Sequence, residues 1–368
     1  MKILQIIYES YGSPFGFGGA GVRAYELYRR LKDRHDITLL CMKYPGARDG
    51  EIEGLNHIFA GTESPSLAKS VLAYTAGAAA YVRRHGDDFD VIVENFLPST
   101  PFFSRFLTRT PVLLQIQGLW GRHYTKKFGP GFGLPMFLME KIYLRLHRRF
   151  LLVTEVNMGA VTGRAGRCFV IPNGIDRALL ETPAQEGDYI LFLSRIDTYH
   201  KGLDLLMDAF AGLASEFDAL RLVLAGHESN PVEGLRRRLP EALRPRVEYA
   251  GFVSGEDKRR LLAGAAVFVL PSRIEAQPIS IIEAMACGRP LVVSDIPELG
   301  FVTAEHAGLD FPSGSAAGLK ERLALLLRDR DLRLSLGRNG RAYAGRFLWD
   351  VLALQFENAL QLTADGKD

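Results

Sequence analysis

The stretch "PSRIEAQPISIIEAMACGRPLVVSD" (271–295) decides the fold, because it joins a loop, a helix and a strand in one short run. It follows the apolar segment "AVFVL" (266–270), which is predicted to be a strand. Pro278 suits the first turn of a helix, so "ISIIEAMA" (279–286) is predicted to be helical. The apolar segment "PLVVS" (290–294) is the next predicted strand. Near-continuous apolar strands joined by a helix are typical of a parallel sheet that is covered on both faces.

Two glutamates flank the start of this helix, Glu275 just before it and Glu283 one turn inside it. Amides in the first turn of a helix have no acceptor within it, and three are predicted to point at an anion here: Ile279, Ser280 and Ile281. Glutamates beside a bound phosphate can accept hydrogen bonds from sugar hydroxyls. Complementation of the helix dipole would explain Glu283 alone, but it does not explain Glu275.

The alternation of apolar strands with amphipathic helices continues through the whole chain. It predicts two doubly wound α/β domains with parallel sheets. In the first half the predicted strands are 2–8, 37–42, 90–94, 112–116, 150–154 and 168–171. In the second half they are 189–194, 220–225, 246–250, 266–270 and 290–294.

The domain boundary is predicted near "IPNGID" (171–176), because Pro-Asn-Gly after a strand is strong turn chemistry. This gives an N-terminal domain over 1–172 and a C-terminal domain over 173–346. The remaining segment, 347–368, has helical spacing and follows another predicted helix. It is therefore predicted to pack elsewhere than on the second sheet.

The bulk composition indicates a globular enzyme with an uneven charge. The 368 residues are 47% hydrophobic and 24% charged, and the three cysteines have no metal-ligand spacing, so we expect a cytoplasmic protein. Residues 1–172 carry 22 Lys and Arg against 14 Asp and Glu. Nine of those cations lie in 105–149, which has one acidic residue. This segment is predicted either to face an anionic partner such as a membrane surface or to be a solvated helix face.

The loop "GSPFGFGGAG" (12–21) contains the G-x-G-x-x-G pattern of dinucleotide-binding folds. In those folds the first glycine directly follows the strand, whereas Gly16 comes eight residues after Tyr8, where the first strand is predicted to end. The acid expected at the far end of the second strand is also missing, because Asp36 lies at its near end. We therefore interpret the loop as a flexible segment that lets the backbone approach a phosphate or a sugar.

Three further stretches follow predicted strands of the second half. "SRIDTYHKG" (194–202) places Arg195 and Lys201 at the carboxyl edge of the sheet, where two cations suit a diphosphate. A pair of ordinary surface cations is the alternative interpretation. "AGHESN" (225–230) and "AGFVSGED" (250–257) place backbone groups at the same edge.

Together, "IPNGID", "SRIDTYHKG", "AGF" and the spaced pair Glu275 and Glu283 before "AMACGRPLVVSD" resemble the retaining GT-B glycosyltransferases called family 4, or glycosyl transferases group 1. The resemblance covers the whole chain, and its second-half motifs are the more specific. It implies the GT-B fold, in which two Rossmann-like domains face a central cleft. It also implies that a nucleotide sugar binds mainly to the second domain and the acceptor to the first. The C-terminal helix, 347–368, would cross back to the first domain.

The resemblance implies roles for individual residues. Arg195 and Lys201 would neutralise the departing diphosphate, Glu275 would contact the hydroxyls of the donor sugar, and Glu283 would hold the nucleotide ribose. The donor-binding set is completed by Gly18 and Gly19 of the loop, by the amides of Ile279, Ser280 and Ile281, and by Asn173 and Phe252. A UDP- or GDP-sugar is the expected co-substrate, with no cofactor and no metal. Two Asp-x-Asp strings, 88–90 and 329–331, are interpreted as solvated charge.

The residues that contact the acceptor are marked by looser motifs than those that bind the donor. Gln117 stands where the family often has a histidine, and glutamine can donate a hydrogen bond but cannot carry a proton at neutral pH. Asn95 and Arg122 are further candidate acceptor contacts. Aromatic residues mixed with cations over 118–137 suit a lipid-phosphate-linked acceptor or a membrane surface. The alternative for the end of this region is an ordinary amphipathic helix of the first domain over 135–149, which ends in "RLHRR". The expected acceptor is a glycan, a glycolipid or a lipid-linked saccharide, and peripheral attachment to the inner face of the plasma membrane is expected.

Two alternatives stay open on the sequence alone. The chain could be a non-catalytic subunit that binds a nucleotide sugar, because Gln117 replaces the usual histidine. It could also be a GT-B nucleotide-sugar epimerase. Nucleic-acid binding is not expected, because no recognised nucleic-acid-binding motif accompanies the basic segment.

Overall fold

The computed structural model describes residues 1–163, 166–183, 185 and 187–366. They form two compact units, of which the first comprises Met1–Asn173 and the chain from Trp349 onward, and the second comprises Gly174–Leu348. Each unit is an α/β structure built on its own, mainly parallel sheet. The predicted fold class of two doubly wound parallel-sheet domains is confirmed.

The described residues of the first unit form an eight-stranded sheet with the order β3-β4-β2-β1-β5-β6-β7-β8. Every neighbouring pair is parallel except β3 and β4, which are antiparallel. Because the strand order reverses between β1 and β5, the carboxyl edge of these two strands is where a doubly wound sheet binds ligands. The strands are β1 Lys2–Ile6, β2 Asp36–Met42, β3 Gly50–Ile52, β4 Leu55–Ala60, β5 Val91–Asn95, β6 Val112–Ile116, β7 Arg149–Leu152 and β8 Arg167–Val170.

Helices cover this sheet through apolar side chains. One core packs the second helix against the strands through Tyr74, Ala78 and Val82. Another core packs the third helix through Tyr143 and Leu144. The helices of this part of the chain are α1 Gly19–Tyr28, α2 Leu67–His85, α3 His123–Leu146 and α4 Met158–Val161.

The described residues of the second unit form a six-stranded parallel sheet with the order β11-β10-β9-β12-β13-β14. Its strand order reverses between β9 and β12. The strands are β9 Tyr189–Leu193, β10 Arg221–Ala225, β11 Val247–Tyr249, β12 Ala265–Leu270, β13 Leu291–Ser294 and β14 Gly308–Phe311. The helices are α5 Arg177–Glu181, α6 Leu203–Leu213, α7 Val232–Arg236, α8 Gly255–Ala263, α9 Ile279–Ala286, α10 Phe301–Ala304, α11 Ala316–Arg328 and α12 Arg330–Ala344.

The C-terminal helix α13, Trp349–Ala364, is part of the first unit. Its Phe356 ring packs edge-on against Tyr28 of α1, with ring centres 5.4 Å apart. Arg30, two residues after the end of α1, pairs with Asp350 at 2.6 Å. The last helix therefore completes the sheet covering of a unit whose other residues lie in the first half of the sequence.

The apolar strands of the sequence analysis are present with shifts of one or two residues at their ends. Strands β3, β4 and β14 were not predicted, because these segments are short or interrupted by polar residues. In β4, for example, Asn56 and His57 break the apolar run although His57 is fully buried.

The third helix is longer than the helix expected over 135–149. It begins at His123 and ends at Leu146, with a break at Gly129, whose φ of 71° is not helical. The helix ends within the segment "RLHRR" (145–149), because Arg149 already belongs to β7. None of the described helices is long and apolar enough to span a membrane.

Candidate active site

The candidate site of the second unit lies at the carboxyl ends of β9 and β12, where the strand order reverses. The loops that follow these two strands approach each other closely at Gly202 and Pro271. Gly202 has φ +67°, and a Cβ atom there would lie 1.9 Å from the carbonyl oxygen of Pro271. A side chain is therefore excluded at Gly202, and the contact brings Lys201 next to the loop that carries Glu275.

Lys201 and Glu275 form a buried ion pair. The Lys201 Nζ donates to Glu275 Oε1 at 2.6 Å, and both residues are less than a tenth exposed. Removing one partner of a buried pair strongly destabilises the folded protein, because an uncompensated charge would stay in the interior. The ammonium has further N–H donors and the carboxylate has a second oxygen, so both can also bind a ligand.

His200 fixes the geometry of this loop and was not among the predicted site residues. Its Nε2 lies 2.9 Å from the carbonyl oxygen of Ile274, which can only accept, so Nε2 carries the proton. The other ring nitrogen, Nδ1, then accepts from Arg195 Nη2 at 3.4 Å. Arg195 itself is exposed. The structure thus places the two predicted cations differently, Lys201 in a buried pair and Arg195 at the surface beside His200.

Glu283 is paired as well. It lies in α9 and accepts from Lys258 Nζ of α8 at 2.5 Å, with a side chain that is 9% exposed. Lys258 was missed by the sequence analysis, because nothing in "SGEDKRR" distinguishes it from a surface cation. Each of the two predicted donor-binding glutamates is therefore held by a lysine through one of its oxygens.

The helix start predicted at Pro278 is present, since α9 begins at Ile279. One of the three amides expected to face an anion does not do so, because the Ile281 amide donates to the carbonyl oxygen of Pro278 at 3.2 Å. The amides of Ile279 and Ser280 lie in the first turn, where the helix itself offers no acceptor.

Two more residues of the second unit lie near these elements. Burial, and to a smaller extent the charge of Glu275, raises the pKa of Glu298. Phe252, a predicted donor contact, is 54% exposed and stacks on His227, with ring centres 4.4 Å apart. These rings follow β11 and β10, so they present a flat aromatic surface at the same edge of the sheet.

The first unit has a cavity of about 210 Å³ at the carboxyl ends of β1, β5 and β6. Asn95 and Gln117, both predicted acceptor contacts, line it. The Nε2 amide of Gln117 is buried and has no hydrogen-bond partner among the described residues. Arg122, the third predicted acceptor contact, is exposed at the start of α3 and does not line the cavity.

The glycine loop of the first unit binds a carboxylate of its own chain. Glu9 Oε2 accepts from the amides of Gly18 and Gly21 at 3.1 and 2.5 Å. Its other oxygen accepts from the Tyr8 hydroxyl at 2.8 Å. Gly19, the second glycine predicted to bind the donor, is the first residue of α1. The amide of Gly18 is therefore engaged by Glu9 in this structure, which differs from the phosphate contact expected for the loop.

Asn173 is buried, and its side chain stays within the first unit. Asn173 Oδ1 accepts from Arg23 Nη1 at 3.2 Å. Arg23 Nη1 also donates to the carbonyl oxygen of Pro172 at 2.7 Å. Burial lowers the pKa of Arg23 to about 9. These contacts show Asn173 fixing the point where the chain leaves the first unit.

The two Asp-x-Asp strings have structural partners. Asp90 accepts from the Lys2 amide at 2.7 Å, which joins the starts of two neighbouring strands. Asp329 caps α12, because it accepts from the Leu332 amide at 2.9 Å. The aspartates of both strings are exposed, in agreement with solvated charge, and one of each string also accepts from a backbone amide.

The predicted site residues follow strands in recognisable motifs. Their hydrogen-bonding and ion-pair partners were not predicted. A signal for Glu9 was present, since an acid three residues after β1 lies at the edge where the strand order reverses. Signals for Lys258 and His200 were weak, because their roles depend on contacts with residues 25 and 74 positions away.

Comparisons with known proteins match both halves of the chain. Residues 17–179 match the family described as Glycosyltransferase Family 4, and residues 187–329 match Glycosyl transferases group 1. The phosphatidyl-myo-inositol mannosyltransferase of Mycobacterium leprae is 31% identical over 202 residues, which are 53% of this chain and 53% of that protein. The chain therefore spans about half the length of the curated relatives it matches.

Solved structures resemble the chain over nearly its whole length. Sucrose-phosphate synthase from Thermosynechococcus elongatus has a TM-score of 0.80 at 22% identity, with all of both chains covered. Anabaena HepE, in complex with UDP-glucose, has a TM-score of 0.75 at 20% identity, with 98% of this chain and 99% of that chain covered. At these identities the likeness establishes the fold, which is GT-B.

Proposed function

Because the chain belongs to the GT-B glycosyltransferases, we propose that it moves a sugar from a nucleoside-diphosphate sugar to a hydroxyl group of a glycan or lipid-linked acceptor. The nucleotide sugar binds to the second unit, and the acceptor binds to the first. The observation that carries this proposal is the buried pair of Lys201 and Glu275 at the point where the second sheet reverses its strand order.

The pair supplies two functions at one place. An ammonium with spare N–H donors stabilises the charge that develops on a departing diphosphate, and fixed charges of this kind are an effective way to lower such a barrier. The carboxylate of Glu275 keeps an oxygen for the hydroxyls of the donor sugar. Arg195, at the surface of the same loop, adds a second cation for the diphosphate.

The nucleotide is held by the neighbouring groups. Glu283 is fixed by Lys258 through one oxygen and offers the other to the ribose hydroxyls. The amides of Ile279 and Ser280 point from the start of an eight-residue helix, which favours a phosphate. The stacked rings of His227 and Phe252 offer a surface for the base. We expect a UDP- or GDP-sugar and no requirement for a metal ion.

The proposed transfer breaks the bond between the anomeric carbon and the diphosphate oxygen. A new bond forms from that carbon to the acceptor oxygen, and the acceptor proton passes to an oxygen of the departing diphosphate. No side chain has to act as the nucleophile, and the configuration at the anomeric carbon is retained. Gln117 contributes hydrogen bonds from its amide and takes no part in proton transfer.

The named relatives support this choice of substrates. The Mycobacterium leprae relative is named as a mannosyltransferase that acts on phosphatidyl-myo-inositol, and the Anabaena structure contains UDP-glucose. A lipid-linked acceptor also fits α3, whose exposed apolar and basic side chains suit an anionic membrane surface.

The proposal is tested by neutralising the ion pair in two ways. Lys201→Met and Glu275→Gln each leave one buried charge without its partner, so each single variant should be destabilised by about 3–5 kcal/mol. The double variant removes both charges and should recover most of that stability. All three variants should lose transfer at least about a hundredfold, because the cation and the carboxylate are absent or misplaced.

Transfer is measured by mass spectrometry with UDP- and GDP-sugars as donors and p-nitrophenyl glycosides as acceptors. The matched control is Arg238→Met with Asp208→Asn, an exposed pair of the same unit whose removal should change neither stability nor transfer greatly. A folded Lys201→Met/Glu275→Gln protein with near-normal transfer would refute the assignment. A new nucleotide sugar formed without any acceptor would instead identify an epimerase, and donor binding without transfer by the wild type would identify a non-catalytic subunit.

A further inference from the structure

We propose that the cavity of the first unit binds an uncharged sugar ring of the acceptor and that Glu9 excludes phosphate groups from it. This inference rests on the proposed function, since it names the class of acceptor. The cavity is lined by Glu9, Asn95, Gln117, Trp120, Tyr124 and Phe128, among others. Its volume of about 210 Å³ lies below the range of about 300–1,000 Å³ that drug-sized ligands occupy, so it suits a single ring.

The anion-binding position at the start of α1 is already filled. Glu9 accepts from the amides of Gly18 and Gly21, and these are the groups that a phosphate at this helix start would use. Glu9 is 6% exposed, so solvent and salt screen its charge only weakly. A phosphate entering the cavity would therefore meet a carboxylate and would find the nearest backbone donors occupied.

Part of the cavity wall is aromatic. The rings of Tyr124 and Phe128 lie nearly parallel to that of Trp120, at angles of 18° and 11° with centres 5.4 and 6.4 Å apart. The backbone amide of Trp120 donates to the buried carboxylate of Glu140 at 3.0 Å, which fixes this segment. Aromatic walls with a few placed polar groups are typical of small-molecule sites, and the C–H face of a sugar ring packs well on such a surface.

The polar groups of the cavity match hydroxyls rather than an anion. The Gln117 amide is a buried donor without a partner among the described residues, and an unsatisfied buried donor is costly. Asn95 adds a second carboxamide, whose Oδ1 accepts from Gln115 Nε2 at 3.3 Å, and a sugar hydroxyl both donates and accepts. Neither lysine nor arginine lines the cavity among the described residues. Lys127 lies over the ring of Trp120, 5.2 Å from its centre, but is not part of the lining.

The test uses the fluorescence of Trp120. The sequence has two tryptophans, so Trp349→Phe in α13 leaves Trp120 as the single reporter. This protein is titrated, without any nucleotide sugar, with methyl glycosides of glucose, galactose, mannose and N-acetylglucosamine and with the 6-phosphates of the same sugars. At least one methyl glycoside should give a saturable change, and its 6-phosphate should bind at least tenfold more weakly. A phosphate that binds equally well or better, or no saturable change with any methyl glycoside, would overturn the inference.

A charge-neutral variant separates the role of Glu9 from the shape of the cavity. Glu9→Gln keeps an oxygen for the glycine amides but removes the charge, so the preference for the uncharged sugar should fall below about threefold. The matched control is Glu26→Gln on α1, whose carboxylate pairs with Arg29 and Arg30 and does not line the cavity. It should keep the tenfold preference. If Glu9→Gln does not fold, Gln117→Leu serves instead and should weaken binding of the methyl glycoside at least fivefold.

The outcomes distinguish this inference from the proposed function. Binding of the methyl glycosides is measured without any nucleotide sugar. A negative result would therefore leave the proposed binding of a nucleotide sugar by the second unit untouched. Conversely, a protein that binds methyl glycosides but neither binds nor uses any nucleotide sugar would contradict the proposed function. An unchanged preference in Glu9→Gln would show that Glu9 only shapes the loop and would overturn its assigned role.

Discussion

At the scale of single residues, Gly21 of the glycine loop is constrained by its contacts. Gly21 is buried, and a Cβ atom there would lie 2.5 Å from the ring of Phe17 and 2.7 Å from Glu9 Oε2. The carboxylate of Glu9 cannot move away freely, because it holds the amides of Gly18 and Gly21. The loop therefore needs a glycine at position 21 to keep Glu9 in place.

We predict that Gly21→Ala destabilises the protein by about 1–3 kcal/mol, the usual range for overpacking. It should also displace Glu9 and so reduce the preference of the cavity for uncharged sugars. Urea unfolding measures the first effect. Gly159→Ala in α4 is the control, because a Cβ atom there has nothing within 4 Å, and it should be neutral or slightly stabilising. Equal stability of the two variants would contradict the contacts described for Gly21.

Another residue-scale prediction concerns the buried carboxyl of Glu94. Burial raises its pKa to about 7, and the Tyr143 hydroxyl donates to it. Between pH 4.5 and pH 7 the native state thus holds a proton that the unfolded state has lost, so stability falls as the pH rises through this window. Glu94→Gln should be more stable than the wild type by up to about 3 kcal/mol at pH 8, and the difference should vanish near pH 4.

The measurement is urea unfolding of both proteins at several pH values between 4 and 8. Burial lowers the pKa of nearby His147 to about 4, which gives the opposite slope, but this contribution is common to both proteins and cancels in the difference. Glu155→Gln, an exposed carboxyl of the same unit, should show no such pH-dependent gain. A difference between Glu94→Gln and the wild type that does not grow with pH would contradict the raised pKa.

At the scale of elements, α3 shows what sequence patterns can and cannot predict. Its apolar periodicity was visible over 135–149, but its start at His123 was hidden by Gly129, Pro130 and Pro135. These residues normally end helices, and here the chain breaks at Gly129 and resumes. The strands were easier to predict, because residues buried on both faces of a sheet must be apolar at nearly every position.

The outer face of α3 carries the prediction for membrane attachment. Phe132 is 76% exposed and Leu138 is 49% exposed, and Lys141 and Arg145 lie exposed on the same helix. Phe132→Ser with Leu138→Ser should reduce sedimentation with vesicles of phosphatidylcholine and phosphatidylglycerol at least fivefold. Leu72→Ser on α2 is the control, since Leu72 is 71% exposed but lies outside the basic segment 105–149. Unchanged partitioning of the double variant would reject a membrane role for this face.

At the scale of the whole molecule, the alternation of strands and helices was sufficient to predict two doubly wound units. The carboxyl edges of their sheets were predictable too, and with them Lys201, Glu275, Glu283, Asn95 and Gln117. The pairings were not predictable, because Lys201 and Glu275 are 74 positions apart and Glu283 and Lys258 are 25 apart. Such pairs depend on which strands become neighbours and on the space that each loop leaves for the next.

The second unit is proposed to bind a nucleoside-diphosphate sugar. A thermal-shift panel of UDP-, GDP- and ADP-sugars tests this proposal most directly. A ligand at a hundredfold excess over its Kd stabilises the native state by about 2.7 kcal/mol, which corresponds to roughly 5–10 °C in Tm for a unit of this size. We predict a rise of this order with at least one UDP- or GDP-sugar for the wild type and none for the folded Lys201→Met/Glu275→Gln variant. No rise with any nucleotide sugar, or an equal rise in that variant, would contradict the account.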